Sequence, residues 1–321
     1  MNNGEIILKK KRLINYIIIL LSVILIGLTG ASFYFYNLAI KRSTGEFLND
    51  NPDLAVNTDN SLQIVGQAWL ETVTFDTVEM TSNDGLKLVG YYLPAETVTN
   101  KTAIIAHGYT SQAMNMYSYA KFYHELGYNV LMPDARGHGA SEGDYIGFGW
   151  HDRLDYVQWI NYVLAQNGND TEIVLHGVSM GSATVLMTSG EELPKQVKAV
   201  VADCGYTSAE DVLSYQLKRM YHLPSFPILQ VTSLMTKIRA GYSFAEASAL
   251  EQVKKTEIPI LFIHGEDDTF VPVEMVYELY DAAGSDKELL IVPDAEHANA
   301  YDADPQLYEE TVTNFLDKYV E

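Results

Sequence analysis

One stretch, residues 173–188 (IVLHGVSMGSATVLMT), constrains the fold of this chain more than any other. It opens with Ile-Val-Leu-His, a run typical of a buried strand, and it closes with small and apolar residues at helical spacing. Gly177 and Gly181 stand two residues either side of Ser179, where larger side chains would collide with the strand or the helix of a strained turn. The stretch therefore predicts a strand, a tight turn that exposes the Ser179 hydroxyl, and a helix.

The pattern Gly-x-Ser-x-Gly occurs a second time, around Ser141 at residues 139–143. That copy follows the sequence Arg-Gly-His rather than a strand, and a stretch rich in Gly, Asp and Tyr follows it rather than a helix. Ser141 is therefore expected in a loop. A serine held between a strand and a helix is the usual position of a hydrolase nucleophile, which favours Ser179. A tight turn without chemistry is the alternative interpretation.

Strand and helix patterns alternate from residue 102 to residue 319. The apolar runs that predict strands lie at residues 102–106, 130–132, 173–175, 197–202, 258–263 and 289–292. Continuous apolar strands separated by helical segments indicate a parallel sheet that is covered by helices on both faces. Two alternating runs at residues 73–80 and 86–93 flank an Asn-Asp-Gly turn, so they predict an antiparallel pair at one edge. The expected fold class is α/β.

Residues 206–253 interrupt this alternation, because they contain no predicted strand and are much longer than a simple crossover requires. Their aromatic and aliphatic residues, interrupted by Pro224 and Pro227, predict two or three short helices. We expect a small helical cap over the carboxyl ends of the strands. The residues that bind substrate would lie in this cap, but the pattern does not single them out. An enlarged crossover packed on the side of the sheet is the alternative.

The N-terminal part of the chain contains an uncharged stretch, residues 13–36, directly after four basic residues. A helix of this length spans about 36 Å, which is enough to cross a bilayer. It predicts an uncleaved transmembrane signal anchor, with a cleaved signal peptide or a buried core helix as alternatives. Directly after the stretch stand only two basic residues, Lys41 and Arg42. The positive-inside rule therefore places residues 1–12 in the cytoplasm and the remainder outside the cell membrane.

After this anchor the sequence predicts two further units. Residues 37–72 are polar and acidic, with a few apolar positions, and are expected to form a stalk or linker. Residues 73–321 are expected to form the folded domain that carries the cap. The membrane, through the N-terminal helix, is thus a predicted partner of the chain.

Charge and cysteine content exclude several classes of function. The chain holds 21 Lys and Arg against 42 Asp and Glu, a net charge of −21, and the excess of acid lies beyond residue 42. So acidic a body is poorly suited to binding nucleic acid. The single cysteine, Cys204, excludes an internal disulfide and a cysteine-based zinc site, and it is expected in the core.

A serine nucleophile needs a base within hydrogen-bond reach and an acid that orients the base. Asp268 follows the predicted strand at 258–263, and His297 follows the one at 289–292, so Ser179, Asp268 and His297 stand in the chain order of a hydrolase triad. Asp267 and Asp203 are rival acids. The acidic run 266–268 matches no calcium loop, so we expect neither a metal nor another cofactor.

The chain resembles the α/β-hydrolase superfamily from about residue 73 to its end. The motifs that carry the resemblance are His-Gly at 107–108, residues 134–141 (DARGHGAS), the turn around Ser179, and His-Gly-x-x-Asp-x-x-Val-Pro at 264–272. Together they resemble the serine-aminopeptidase and monoglyceride-lipase-like branch, and within it the bacterial membrane-anchored, Bem46-like hydrolases. The resemblance implies an oxyanion hole formed by the backbone N–H groups of Tyr109 and Met180, and a structural role for residues 134–141.

These features predict a serine hydrolase that cleaves carboxylic esters through an acyl-enzyme. A small-molecule ester or amide is the expected substrate, because the superfamily hosts many reactions and the resemblance transfers no substrate. Two alternatives stay open. One is an aminopeptidase or amidase with the same triad, and the other is a non-catalytic surface module that uses the fold as a scaffold.

Overall fold

The computed structural model describes residues 3–48, 51, 54 and 61–321. Its eight strands are β1 (Asp76–Thr81), β2 (Lys87–Leu93), β3 (Lys101–Ala106), β4 (Asn129–Pro133), β5 (Glu172–Val178), β6 (Val197–Asp203), β7 (Ile260–Gly265) and β8 (Lys287–Val292). Its helices are α1 (Asn3–Phe35), α2 (Ser61–Leu70), α3 (Tyr117–Glu125), α4 (Asp152–Asn167), α5 (Met180–Ser189), α6 (Ala209–Tyr221), α7 (Ile228–Ala240), α8 (Ala249–Val253), α9 (Glu274–Ala282), α10 (Ala300–Ala303) and α11 (Pro305–Leu316).

All eight strands form one sheet in the order β1-β2-β4-β3-β5-β6-β7-β8. The pairs β1–β2 and β2–β4 are antiparallel, and the five pairs from β4 to β8 are parallel. The central strands β4, β5 and β7 are buried along their whole length, as continuous apolar runs require. This architecture confirms the predicted α/β class and the antiparallel edge pair.

Two apolar layers cover the sheet. One face packs on side chains of α4, α5 and α9, among which Trp159 and Leu186 are at most 1% exposed. The opposite face packs on α3 and α11, where Tyr123 and Phe315 are fully buried. The carboxyl ends of β5, β6 and β7 therefore meet at one edge of a rigid platform.

The insertion at 206–253 contributes α6, α7 and α8, as the sequence predicted. Helix α6 lies over the loop that follows β7, because Tyr215 Oη donates a hydrogen bond of 3.0 Å to the carbonyl of Thr269 and Gln216 Nε2 donates one of 2.6 Å to the carbonyl of Phe270. Helix α8 instead packs beside α5. The insertion is therefore a cap whose last helix returns to the side of the sheet.

The N-terminal helix α1 runs without a break into a π-helix at Tyr36–Ile40. Residues Lys9–Ile40 are long and apolar enough to cross a membrane. The body of α1 is exposed, whereas its last turns pack against α7. The apolar helix expected from the sequence is therefore present, and it is extended at its carboxyl end.

The expected stalk differs from the structure in its described part. Ile40 is fully buried, Lys41 pairs with Tyr145 in an isolated antiparallel bridge, and α2 packs on α3. The Arg42 guanidinium donates hydrogen bonds to backbone carbonyls of the loop at 139–143. The buried side chain of Ile40 and the hydrogen bonds of Arg42 hold this segment against the domain, so it does not act as a spacer between the domain and the helix. Residues 1–2 of the basic segment and 49–50, 52–53 and 55–60 of the stalk lie outside the described residues.

Candidate active site

Ser179 lies in the turn between β5 and α5, with backbone angles of φ 56° and ψ −116°. This strained conformation is possible because two glycines flank it. A β-carbon at Gly177 would overlap the backbone of Gly181, and one at Gly181 would overlap the carbonyl of Ala106 on β3. The close approach of strand, turn and helix lifts the Ser179 hydroxyl out of the sheet edge.

The structure brings Ser179, His297 and Asp268 together. Ser179 Oγ lies 2.8 Å from His297 Nε2, and His297 Nδ1 lies 2.7 Å from Asp268 Oδ2. A neutral imidazole that donates from Nδ1 to the carboxylate presents an acceptor lone pair at Nε2 toward the hydroxyl. This geometry equips His297 to remove a proton from Ser179.

The Asp268 carboxylate is buried and faces four hydrogen-bond donors. Its Oδ1 atom accepts backbone hydrogen bonds from Phe270 (2.9 Å) and Val271 (2.8 Å), and its Oδ2 atom faces His264 Nε2 at 3.1 Å as well as His297. Burial alone would raise the pKa of Asp268, but the charge of His297 and the hydrogen bonds from His264 and His297 hold it well below its ordinary value. The carboxylate is therefore ionised at neutral pH and can stabilise an imidazolium.

Neither rival acid contacts His297. Asp267 is exposed, while Asp203 Oδ2 accepts a hydrogen bond of 3.0 Å from Tyr308 Oη. The same Tyr308 Oη atom lies 3.2 Å from Nε2 of the buried His176. Asp203 thus belongs to a polar network beneath the sheet edge.

The loop after β3 lies beside the turn, because a β-carbon added at Gly108 would lie 3.6 Å from the Ser179 β-carbon. Among the described residues, neither the Tyr109 N–H nor the Met180 N–H donates a hydrogen bond to another group. Two free N–H groups next to the Ser179 hydroxyl have the chemistry of an oxyanion site.

Residues 134–141 support that loop. His107 Nε2 accepts the Ala135 N–H at 3.0 Å, and His138 Nε2 accepts the Thr110 N–H at 3.2 Å. Burial lowers the pKa of His107 to about 4 and that of His138 to about 3, so both rings stay neutral acceptors. These contacts explain a structural role for the segment.

Ser141, the second serine in a Gly-x-Ser-x-Gly pattern, is buried and fully engaged. Its hydroxyl donates to the Asp134 carbonyl at 2.7 Å and accepts the Val89 N–H at 2.9 Å. It therefore pins the loop to β2, as its context in the sequence suggested.

Two cavities meet at Ser179. The first is almost wholly apolar and is bounded by the cap, the N-terminal segment and the core, with Leu38, Tyr109, Leu213, Leu217, Leu229 and Phe270 among its lining residues. The second is mixed in polarity and lies on the His297 side, with Ser111, Asn115, Tyr119, Tyr301 and Asp302 among its lining residues. Ser179 thus lies between an apolar and a polar cavity.

Sequence reasoning missed two features of this site. The contact of His264 with Asp268 was not predicted, although the spacing of four residues in the His-Gly-x-x-Asp motif was visible. The position of residues 35–40 at the cavity was not predicted either, because that contact joins segments far apart in the chain. Cys204, Asp268 and His297 offer potential ligand atoms within 4.8 Å of one another. The His297 and Asp268 atoms already satisfy each other, and burial raises the pKa of the Cys204 thiol, so this set is a poor ion site.

The chain is similar to known proteins over most of its length. The model of the prolyl oligopeptidase family (peptidase S9) matches residues 114–321. YqkD, an uncharacterized protein of Bacillus subtilis (strain 168), is 32% identical over 293 residues, which are 90% of this chain and 92% of that protein. YfhR, an uncharacterized protein of Escherichia coli (strain K12), is 28% identical over 249 residues, or 75% and 80% of the two chains.

A solved structure extends the comparison to three dimensions. The esterase Pf2001 of Pyrococcus furiosus superposes with a TM-score of 0.64 at 26% sequence identity. The match covers 78% of this chain and 94% of the esterase.

Proposed function

Because the chain belongs to the prolyl oligopeptidase family and is a serine hydrolase, we propose that it cleaves carboxylic esters through an acyl-enzyme on Ser179. The α/β-hydrolase superfamily predicted from the sequence is confirmed, whereas the narrower Bem46-like branch stays a prediction. One observation favours an ester: an apolar cavity opens directly at Ser179. Such a cavity suits the acyl group of an ester better than a charged peptide.

In the proposed mechanism, His297 Nε2 takes the hydroxyl proton as Ser179 Oγ attacks the acyl carbonyl. Asp268 fixes the imidazole tautomer and stabilises the imidazolium. The N–H groups of Tyr109 and Met180 bind the developing oxyanion, and each donor contributes about 3 kcal/mol to lowering the barrier. His297 then returns the proton to the leaving alcohol. Water attacks the acyl-enzyme with His297 again as base, which releases the acid and restores Ser179.

A second candidate is an aminopeptidase or amidase that uses the same three residues. The family to which the chain belongs is one of peptidases, and Asp302 contributes a carboxylate to the polar cavity beside His297. The free ammonium group of an aminopeptidase substrate belongs to its acyl residue, so this candidate requires the acyl residue to lie in the polar cavity with that group near Asp302. Hydrolysis of aminoacyl amides at rates above those of esters would favour this candidate.

The proposed anchor is a single-pass helix with the N-terminus in the cytoplasm and the hydrolase outside. Four basic residues before the span and two after it support this orientation. The burial of Ser32, Tyr36 and Ile40 supports an uncleaved anchor, because cleavage within this segment would remove packed side chains. Protease treatment of intact spheroplasts would test the orientation, since the protease digests only a domain that lies outside the membrane.

A fluorophosphonate probe tests the enzymatic proposal. The wild-type chain should be labelled and should release p-nitrophenol from short esters, and Ser179→Ala should do neither. Ser141→Ala provides the matched control, because its serine stands in the second Gly-x-Ser-x-Gly pattern and has both hydrogen-bonding roles taken. An unlabelled wild-type domain with no ester or amide turnover would leave only the non-catalytic surface module.

A further inference from the structure

The N-terminal segment forms one wall of the apolar cavity. Phe35, the last residue of α1, and Leu38, Ala39 and Ile40 of the π-helix all line it. Tyr109 Oη donates a hydrogen bond of 2.9 Å to the carbonyl of Ala39, which ties this wall to the loop beside Ser179. The chain that leaves the proposed membrane span therefore borders the nucleophile's cavity.

The outer end of the span and the cap lie at the same level. A helix needs about 20 residues to cross the hydrocarbon core, and that number counted from Leu13 reaches Ser32. Ser32 is already fully buried in the protein, and the Phe35 ring packs edge-on against Tyr221 of α6 with centroids 5.2 Å apart. The guanidinium of Arg239, in α7, lies 4.7 Å from the centroid of the Tyr36 ring. The cap therefore begins where the bilayer ends.

The part of the cap that packs on α1 is apolar and basic on its exposed side. Phe226 is 74% exposed, Leu234 60% and Ile238 76%. Residues 212–245 contain four Lys and Arg and no Asp or Glu, in a chain where acids outnumber these bases by 42 to 21; one of the four, Lys237, forms an ion pair of 2.8 Å with Glu246 just beyond this range. Exposed apolar side chains among basic ones are suited to insertion at a phospholipid interface, where the cations meet phosphate groups.

Resting on the proposed ester hydrolysis and membrane anchor, we infer that Phe226, Leu234 and Ile238 dock the cap on the leaflet at the carboxyl end of α1. The acyl chain of a lipid ester dissolved in that leaflet then enters the apolar cavity directly from the bilayer. The polar cavity on the His297 side accommodates the alcohol that leaves. The span, the cap and the cavity wall are continuous. An acyl chain can therefore move from the leaflet to Ser179 without passing through water.

Depth measurement tests the docking without reference to activity. Leu234→Cys, labelled with a nitrobenzoxadiazole maleimide and reconstituted as the full chain in mixed phosphatidylcholine and phosphatidylglycerol vesicles, should be quenched by brominated acyl chains. The native Cys204 is buried and its thiol pKa is raised, so the dye reports position 234 alone. Tyr277→Cys on α9, where the native side chain is 44% exposed, is the control and should not be quenched. An unquenched label at position 234 would overturn the inference whatever the enzyme does.

Activity in the same vesicles tests the route. Leu234→Glu/Ile238→Glu should lower hydrolysis of vesicle-borne 4-methylumbelliferyl oleate by about tenfold or more, and leave aqueous 4-methylumbelliferyl butyrate within about twofold. Val98→Glu/Tyr277→Glu, which places the same charges on exposed residues outside the cap, should change neither rate. Unchanged oleate hydrolysis in the cap variant would overturn the inference. A wild-type chain that cleaves neither ester would instead overturn the proposed ester hydrolysis, while the quenching at position 234 would still decide the docking.

Discussion

The carbonyl of Asp203 accepts a hydrogen bond from the Ser179 N–H at 2.9 Å, whereas the carboxylate of the same residue binds Tyr308. Asp203 therefore supports Ser179 through its backbone, and its carboxylate bonds Tyr308 rather than His297. Asp203 and Asp268 thus lie at adjacent strand ends but differ in partner, because only the Asp268 carboxylate bonds His297.

Asp268→Asn should lower kcat/KM for short esters by about 10³–10⁴-fold, because the imidazole would lose the carboxylate that fixes its tautomer. Asp203→Asn, which removes the same charge from the adjacent strand end, should stay within about tenfold of wild type. Steady-state hydrolysis of p-nitrophenyl acetate measures both. Comparable losses in the two variants would mean that Asp203 also acts on the reacting groups.

Asp203 should also make stability depend on pH. Burial raises the pKa of its carboxyl to about 6. The folded protein then binds more protons at this group than the unfolded chain does, so its contribution to stability is present at low pH and is lost as pH rises from about 4 to 6. A difference of about two pKa units corresponds to roughly 3 kcal/mol. Denaturant unfolding should show that Asp203→Asn loses less stability than wild type over this range, and parallel pH profiles would contradict the prediction.

Gly177→Ala should destabilise the fold by about 3 kcal/mol or more, since the new methyl group would overlap the backbone of Gly181, which cannot move aside within the turn. Gly284→Ala is the control, because its β-carbon would meet only the Lys254 carbonyl at 3.9 Å. Thermal unfolding followed by circular dichroism compares the two. Equal melting temperatures would show that the turn relaxes more easily than its contacts indicate.

Arg136→Leu should cost about 3–5 kcal/mol of stability, because it leaves the buried carboxylate of Asp155 without its ion-pair partner. The Arg136 guanidinium lies 2.7 Å from Asp155 and 2.9 Å from Asp84, and the side chains of Arg136 and Asp155 are 4% and 5% exposed. Lys87→Leu breaks the exposed pair with Glu79 and should cost less than about 1 kcal/mol. Urea unfolding midpoints distinguish the two, and similar losses would show that burial does not set the energy of the Arg136 pair.

Leu38→Trp should shift the acyl-chain preference, because the larger ring would occupy the wall of the apolar cavity. The ratio of kcat/KM for p-nitrophenyl octanoate to that for the acetate should fall by about tenfold. Leu126→Trp, at the partly exposed end of α3, makes the same change away from the cavity and should leave the ratio unaltered. A Leu38→Trp variant with the wild-type ratio would show that acyl groups lie elsewhere.

Local patterns in the sequence predicted the sheet, the cap helices and the turn around Ser179. Each depends on hydrophobic periodicity or on glycines that act within a few residues, and a buried strand such as β5 carries its signal in its own composition. The proximity of Ser179, Asp268 and His297 was predicted by a different route, since parallel strands bring their carboxyl ends to one edge.

Contacts that join distant segments left no comparable signal. The seating of Ile40 in the core depends on the shape of surfaces contributed by other elements, and its segment looked like a polar linker with scattered apolar residues. The same holds for Arg136, whose partners Asp84 and Asp155 lie far from it along the chain. Such contacts are decided by tertiary packing, which periodicity does not encode.

The burial of Tyr36 and Ile40 bears on how this protein can be handled outside a membrane. A recombinant fragment that begins after these residues would expose the apolar surfaces they cover, and solvent would enter the space next to Ser179. Assays on such a fragment would report a remodelled pocket, and under the proposed ester hydrolysis its chain-length preference should differ from that of the intact protein. Detergent-solubilised full-length protein is therefore the proper starting material for any substrate screen.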